Sequence, residues 1–121
     1  MVDSYVRGLD SIELEFTLTN EDGDIIDTTS LDDVTVELIT SRKNIPENTV
    51  YWTGSILGGE VDNTNGATGI LRVSLDYTDT TTWTVSKIYY SRLTLIETDT
   101  DYGSGEKRSV GVSPAFKLAV A

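Results

Sequence analysis

The groups with which this 121-residue chain can do chemistry are carboxylates, a few amines and a set of aromatic rings. The carboxylates gather at Asp22, Asp24 and Asp27, at Asp32 and Asp33, at Asp76 and Asp79, and at Asp99 and Asp101. Calcium takes several oxygen ligands from acidic loops of this kind. No stretch fits the EF-hand spacing, however, and paired aspartates are ordinary turn formers, so structural turns are the preferred reading and no metal site is assigned. Two carboxylates held ~5 to 9.5 Å apart also serve glycosidases. Acidic residues are so numerous here that no pair stands out.

Histidine and cysteine are both absent. Their absence removes the commonest general base, the commonest zinc ligands and any disulfide framework. A Ser or Thr activated by Lys43, Lys87, Lys107 or Lys117 has no motif behind it. No nucleophile, base and orienting group can be assembled, so no catalytic or cofactor-binding residue is assigned and the protein is expected not to be an enzyme. Gly58-Gly59 and Gly66-Ala67-Thr68-Gly69 lack the Lys-Ser/Thr and the helix start of a phosphate cradle and read as turns.

The rings offer a second possibility. Trp52, Trp83, Tyr51, Tyr89 and Tyr90 can form a stacking platform for sugars. Against this stands the gain from burying them, since aromatics fill sandwich cores and seal their ends. Trp83, in a polar bridge, is expected to cap one end.

Nine basic residues face 20 acidic ones, a net charge of -11. Phosphate backbones and anionic membrane surfaces would be repelled, so neither nucleic acid nor membrane is expected as a partner. No run approaches the ~18 apolar residues of a membrane span. The first residues lack a basic segment followed by an apolar one, so synthesis in the cytoplasm is expected.

The elements that must position these groups are strands. Thr and Val are abundant, and no window repeats apolar residues at helical spacing. Residues 11–19 alternate Ile12, Leu14, Phe16 and Leu18 on one face, and Asp22-Gly23 follows as a tight turn. Ile25 and Ile26 open a short extended piece ending at residues 28–30. Residues 33–40 turn Val34, Val36 and Leu38 inward. Residues 41–48 read as a loop, where Pro46 bars a central strand. Residues 49–57 carry Val50, Trp52 and Ile56 on one parity, and residues 70–77 carry Leu71, Val73 and Leu75. Residues 78–83 are a polar bridge. In the run 85–97, Tyr89, Leu93 and Leu95 are expected in the core, with Ile88, Tyr90 and Ile96 opposite as a candidate subunit contact. Residues 98–107 form a hairpin loop. Residues 108–120 make the last strand region, interrupted at Pro114, with Val110 and Val112 before it and Phe116, Leu118 and Val120 after. About seven strands with short connections are most economically packed as two antiparallel sheets face to face. One domain over residues 11–121 is expected, preceded by an arm over residues 1–10 that reaches a neighbour.

Several segments carry a likeness. Arg7-Gly8-x-Asp10 precedes an alternating strand; Asp22-Gly23 and Ile25-x-Asp27 lead to Val34-x-Val36-x-Leu38. Thr68-Gly69-x-Leu71-x-Val73, the bridge into Tyr89-Tyr90-x-Arg92-Leu93-x-Leu95, and the closing Arg108-Ser109-Val110 and Phe116-x-Leu118 follow. This pattern, from about Tyr5 to Val120, resembles the immunoglobulin-like β-sandwich domains of tailed-phage virion proteins, in particular the N-terminal domain of baseplate upper proteins. The resemblance implies an all-β, immunoglobulin-like antiparallel sandwich of about seven to eight strands. It also implies a non-enzymatic virion structural protein, without cofactor, assembling in multiple copies on other capsid, neck, tail or baseplate proteins. The alternative is a carbohydrate-binding or adhesion sandwich displaying Trp52 or Trp83; a hydrolase is a third, weaker reading.

Overall fold

The computed structural model describes residues 3–40 and 49–120. Its strands are β1 (Asp3–Val6), β2 (Ile12–Thr17), β3 (Asp33–Ile39), β4 (Val50–Ser55), β5 (Val61–Asp62), β6 (Ile70–Leu75), β7 (Ile88–Thr98) and β8 (Glu106–Ala119). Three short 3-10 turns, Thr28–Ser30, Gly66–Thr68 and Tyr77–Thr80, are the only helical pieces among the described residues. The expected loop over residues 41–48, with Lys43 and Pro46, lies outside them.

The strands form a five-stranded sheet in the order β1-β8-β7-β3-β4 and a three-stranded sheet in the order β2-β6-β5. Alternation explains why they meet. Ile12 and Leu14 of β2 and Leu71, Val73 and Leu75 of β6 face Val34, Val36 and Leu38 of β3 across one core. Tyr89 and Leu93 of β7 and Phe116 and Leu118 of β8 complete it. The all-β expectation therefore holds, with two sheets sharing one core. Fully burying aliphatic side chains of this kind stabilises by roughly 1.5–3 kcal/mol each.

One pairing breaks the expected antiparallel rule. β1 runs parallel to β8, with Asp3 beside Phe116 and Val6 beside Ala119. Residues 3–6, expected as part of an arm, are thus an edge strand of the chain's own sheet. The turn that follows explains the Arg7-Gly8-x-Asp10 motif. Asp10 Oδ2 accepts the Val6 N–H at 2.7 Å. Gly8 takes the positive φ of 75° that the turn requires. Its N–H donates to buried Thr80 Oγ1 at 2.9 Å, and Arg7 Nη1 donates to the Trp83 carbonyl at 2.9 Å.

Two bulges decide which side chains face inward. In β4, Leu38 pairs with Trp52 but Ile39 pairs with Val50, leaving Tyr51 as the extra residue. Tyr51 and Trp52 both pack against the core, while Val50 is exposed, so the shared parity of Val50 with Trp52 does not survive. In β8, Tyr89 pairs with Phe116 but Tyr90 pairs with Pro114, leaving Ala115 extra. Pro114 sits in this bulge of a continuous strand instead of interrupting it. The extra residue reverses parity. Ser113, Gly111 and Ser109 lie opposite the inward residues Ser91, Leu93 and Leu95. Val110 and Val112, which share even parity with Phe116 and Leu118, are thrown to the outer face, Val110 with 48% exposure.

The start of β7 also moves. It begins at Ile88 instead of residue 85, because residues 84–87 make a corner in which Ser86 adopts a φ of 63° and its N–H donates to the Leu118 carbonyl at 2.8 Å. The Tyr89 hydroxyl closes this corner by donating to the Thr84 carbonyl at 2.8 Å. Burial, then the neighbouring Tyr51, push the Tyr89 phenol up to about 12 from an ordinary 10.0.

Two outcomes follow. Tyr89→Phe removes the corner hydrogen bond and lowers unfolding free energy by about 1–2 kcal/mol in urea titration. A raised folded-state pKa means that the neutral phenol's contribution is intact below pH 10 and lost as pH rises toward 12; alkaline denaturation of the wild type contains this component and that of Tyr89→Phe lacks it. Separately, Gly54→Ala drives a methyl to 2.5 Å from the Trp52 ring and 2.6 Å from Glu60 Cβ, so the same titration records a loss of about 1–3 kcal/mol.

Candidate functional site

The reactive-looking groups are held by the fold. Three segments repeat one arrangement, Asp-x-Thr, in which the carboxylate accepts from the backbone N–H and the hydroxyl of the Thr two residues on. Asp27 does this with Thr29, Asp62 with Thr64 and Asp76 with Thr78. Asp76 and Asp79 also form a reciprocal capping box on the turn Tyr77–Thr80. Asn20 Oδ1 accepts from the N–H groups of both Asp22 and Asp24, each at 2.9 Å, which explains the acidic turn there. Asp33 Oδ1 accepts from Val34 N and from Leu57 N, tying β3 to the end of β4. Asp32 accepts from Thr98 Oγ1 at 2.6 Å, and Asp99 from Asp101 N at 2.9 Å. No group of three or more possible metal ligands occurs among the described residues. The lysines are as dispersed: Lys87 and Lys117 are exposed, and Lys107 pairs with Glu97 at 3.8 Å.

The rings go inward. Phe116 stacks on Tyr89 at 5.2 Å, Trp83 lies 5.4 Å from Tyr89, and Tyr51 touches both Trp83 and Tyr89. Tyr5 of β1 adds an edge contact to Phe116. Trp83 has 6% exposure and closes this end of the core. Trp52 lies half-buried over Gly54. Tyr90 is half-buried on the opposite face of β7. The five rings are not collected on one open platform.

What the fold leaves open is its other side. Between β2 and the upper half of β8 runs a groove of about 920 Å³. It exists because of the Ala115 bulge. The residues that β8 turns inward here, Ser109, Gly111 and Ser113, are too small to span the space to β2. A Cβ added at Gly111 would meet nothing within 4 Å. The groove floor is therefore apolar and incompletely covered: Phe16, Leu18, Leu31 and Leu95 are half-buried against the core. Leu95 was expected in the core, and the missing bulk opposite it is why it is only half-buried. Glu15, Glu21, Glu97 and Lys107 also line the groove. Glu15 is held from the outer face by Arg72 at 3.0 Å. The walls are strand edges, since β2 pairs only with β6, and β1 covers β8 only at residues 116–119.

Reading residue types missed this groove. Its chemistry is backbone hydrogen bonding along a strip of small residues, and the one signal present was Ser109-x-Gly111-x-Ser113 ahead of Pro114. The alternation of β7 predicts a second surface at Ile88, Tyr90 and Ile96, and the β8 bulge adds Val110 and Val112 to it. The outer face of β7 and β8 carries Ile88, Tyr90, Ile96, Val110 and Val112, exposed or half-buried. It is crossed by the Arg92–Glu37 ion pair at 2.9 Å, an opposite-charge cross-strand contact.

Compared with protein-family models, curated proteins and solved structures, the chain matches none.

The caps predict an acid titration. The Thr64 hydroxyl, then its N–H, hold Asp62 below the usual carboxylate value of 3.8, and Thr78 does the same for Asp76. With lowered folded-state values, the ionised caps contribute above pH 3.8 and are lost as pH falls through those lower values. Carboxyl-carbon NMR titration should place both below 3.8, with Thr64→Ala moving only Asp62 back toward it and Thr78→Ala only Asp76.

Proposed function

We propose that the protein is a non-enzymatic structural component of a tailed-phage virion, an immunoglobulin-like sandwich that assembles in several copies on other capsid, neck, tail or baseplate proteins. The observation that carries this reading is where the functional groups go. The aspartates at the loops cap turns and the rings close one end of the core, while the broad accessible features are strand edges and an apolar sheet face. Such surfaces contact other polypeptides.

The immunoglobulin-like part of the reading has its own support. The order β1-β8-β7-β3-β4 against β2-β6-β5, with the first strand parallel to the last, is an arrangement of two sheets joined by crossing connections. Immunoglobulin-like domains also place a tyrosine near the start of the penultimate strand, its hydroxyl bonded back to the chain a few residues upstream. Tyr89 and Thr84 reproduce that corner. Ser91, fully buried two residues on, stands where antibody domains carry a cysteine of the inter-sheet disulfide. The phage assignment itself rests on the sequence resemblance. The carbohydrate-binding alternative requires an open indole at Trp52 or Trp83; Trp83 is buried and Trp52 half-buried, which weighs against it.

The test is composition. Mass spectrometry of gradient-purified virions should find this chain in a fixed multiple-copy ratio to the major capsid or tail protein. Its absence from particles, or turnover of generic ester, glycoside or peptide substrates by the purified protein, overturns the reading.

A further inference from the structure

We propose that the groove between β2 and β8 is a strand acceptor: it takes an extended segment of another polypeptide, apolar at every second residue and basic at its flanks, as an added strand along β8. The inference deepens the assembly reading above, on which it rests for taking a polypeptide as the occupant.

The backbone supplies the first argument. β7 pairs with β8 along its length, from Ile88–Lys117 to Thr98–Glu106. On the other side β1 accounts only for residues 116–119. Among the described residues, no backbone hydrogen bond reaches the outer edge of β8 between residues 107 and 113. This strip is a lane about 23 Å long at the usual strand rise. It continues the track that β1 already occupies, so the added strand extends a pairing that the chain itself makes. Alternate N–H and C=O groups along such an edge point outward and are satisfied by water or by another strand.

The side chains supply the second. A strand laid along this lane turns every second residue toward the floor made by Phe16, Leu18, Leu93 and Leu95. The inward residues of β8 leave room for it, and the empty space over Gly111 marks where a bulky incoming side chain fits. Apolar residues at alternate positions would cover what the bulge left uncovered, and main-chain bonds plus side-chain pockets are how strand addition combines affinity with specificity.

Charge and symmetry decide the occupant. Glu15, Glu21, Glu97 and Lys107 line the groove; Glu15 is paired with Arg72 and Glu97 with Lys107, so the steering charge is that of Glu21 together with the chain's net charge of -11. A segment with basic flanks is steered in and an acidic one repelled. A second copy of this chain fails on both counts. It carries the same negative charge, and a β8–β8 pairing about a two-fold axis would present Ser109, Gly111 and Ser113 again, leaving the floor uncovered.

The experiment uses the purified full chain and a synthetic peptide with a core of about seven residues, Val or Ile alternating with Thr, and lysines at both ends. Hydrogen exchange is read residue by residue. The expected result is at least about tenfold slower exchange of amides within residues 107–113 on peptide addition, and at least about tenfold weaker binding when glutamates replace the lysines. Gly111→Phe, whose Cβ meets nothing within 4 Å and whose ring is directed at the groove, should abolish binding with an unchanged circular dichroism spectrum and Tm. Ser109→Phe, one inward position along, provides the same block should Gly111→Phe lower the Tm. No protection of residues 107–113 at about 1 mM peptide, or protection that survives both variants, overturns the proposal. So does self-association in sedimentation that Gly111→Phe removes, because the occupant would then be a second copy. None of these outcomes bears on whether the chain is found in virions, so the two readings fail separately.

Discussion

The extra residue at Ala115 sets the character of this molecule. A strand has a side-chain period of two, so a single inserted residue exchanges its faces. Below the bulge β8 points Phe116 and Leu118 into the core, where Phe116 stacks on Tyr89 and closes the aromatic end with Trp83 and Tyr51. Above it the same strand points Ser113, Gly111 and Ser109 inward and sends Val112 and Val110 outward. One local irregularity thus makes one half of the sandwich dense and the other half hollow. Without it Val110 and Val112 would fill the space in front of Leu93 and Leu95, and neither the groove nor the apolar outer face would exist in its present form.

The ion pairs and caps fit around that constraint. The dense end needs an exact corner where β7 leaves the polar bridge, and there Tyr89, Thr84, Ser86 and the N-terminal turn interlock. The hydrogen bonds of Arg7 and Gly8 to Trp83 and Thr80 fasten β1 beside the lower part of β8. The loops farther out are fixed by local Asp-x-Thr bonds, which hold an irregular backbone beside the buried Thr28 and Thr80. The acidic composition follows in part from this economy: each such turn exposes a carboxylate.

Much of the fold was legible because most strands obey alternation without exception. Ile12, Leu14, Val34, Val36, Leu38, Leu71, Val73, Leu75, Tyr89 and Leu93 all face the core as their spacing implies, and Trp83 closes an end as its place in a polar bridge implies. The failures cluster where alternation is interrupted. At the β4 bulge Tyr51 packs against the core and Val50 is exposed, and at the β8 bulge Val110 and Val112 both leave the face that their parity shares with Phe116 and Leu118. A bulge leaves no trace in the hydrophobic pattern, because Val110, Val112, Phe116 and Leu118 keep one parity in the sequence while the backbone between them slips. Pro114 is visible in the sequence, but a proline alone predicts a break where the backbone makes a change of face. The strand at residues 3–6 was missed for another reason: it is short and half-exposed, and its pairing partner lies at the opposite end of the chain.

The hollow half raises a problem that the molecule must solve in isolation. An open strand edge beside apolar side chains invites indiscriminate pairing. Here the edge that faces the groove is poor in bulky inward residues, so two such edges brought together gain hydrogen bonds but little apolar burial. Pro114 bounds the lane at one end with a missing donor, which limits how far a foreign strand can slide along it, while Lys107 and Arg108 at the other end are paired with Glu97 and Glu106. The chain's excess of acidic over basic residues further separates identical copies in solution. The features that make the edge unattractive to its own kind are therefore those that make it selective: only a strand bringing its own large apolar side chains, and charge of the opposite sign, recovers the burial that the Ala115 bulge gave up.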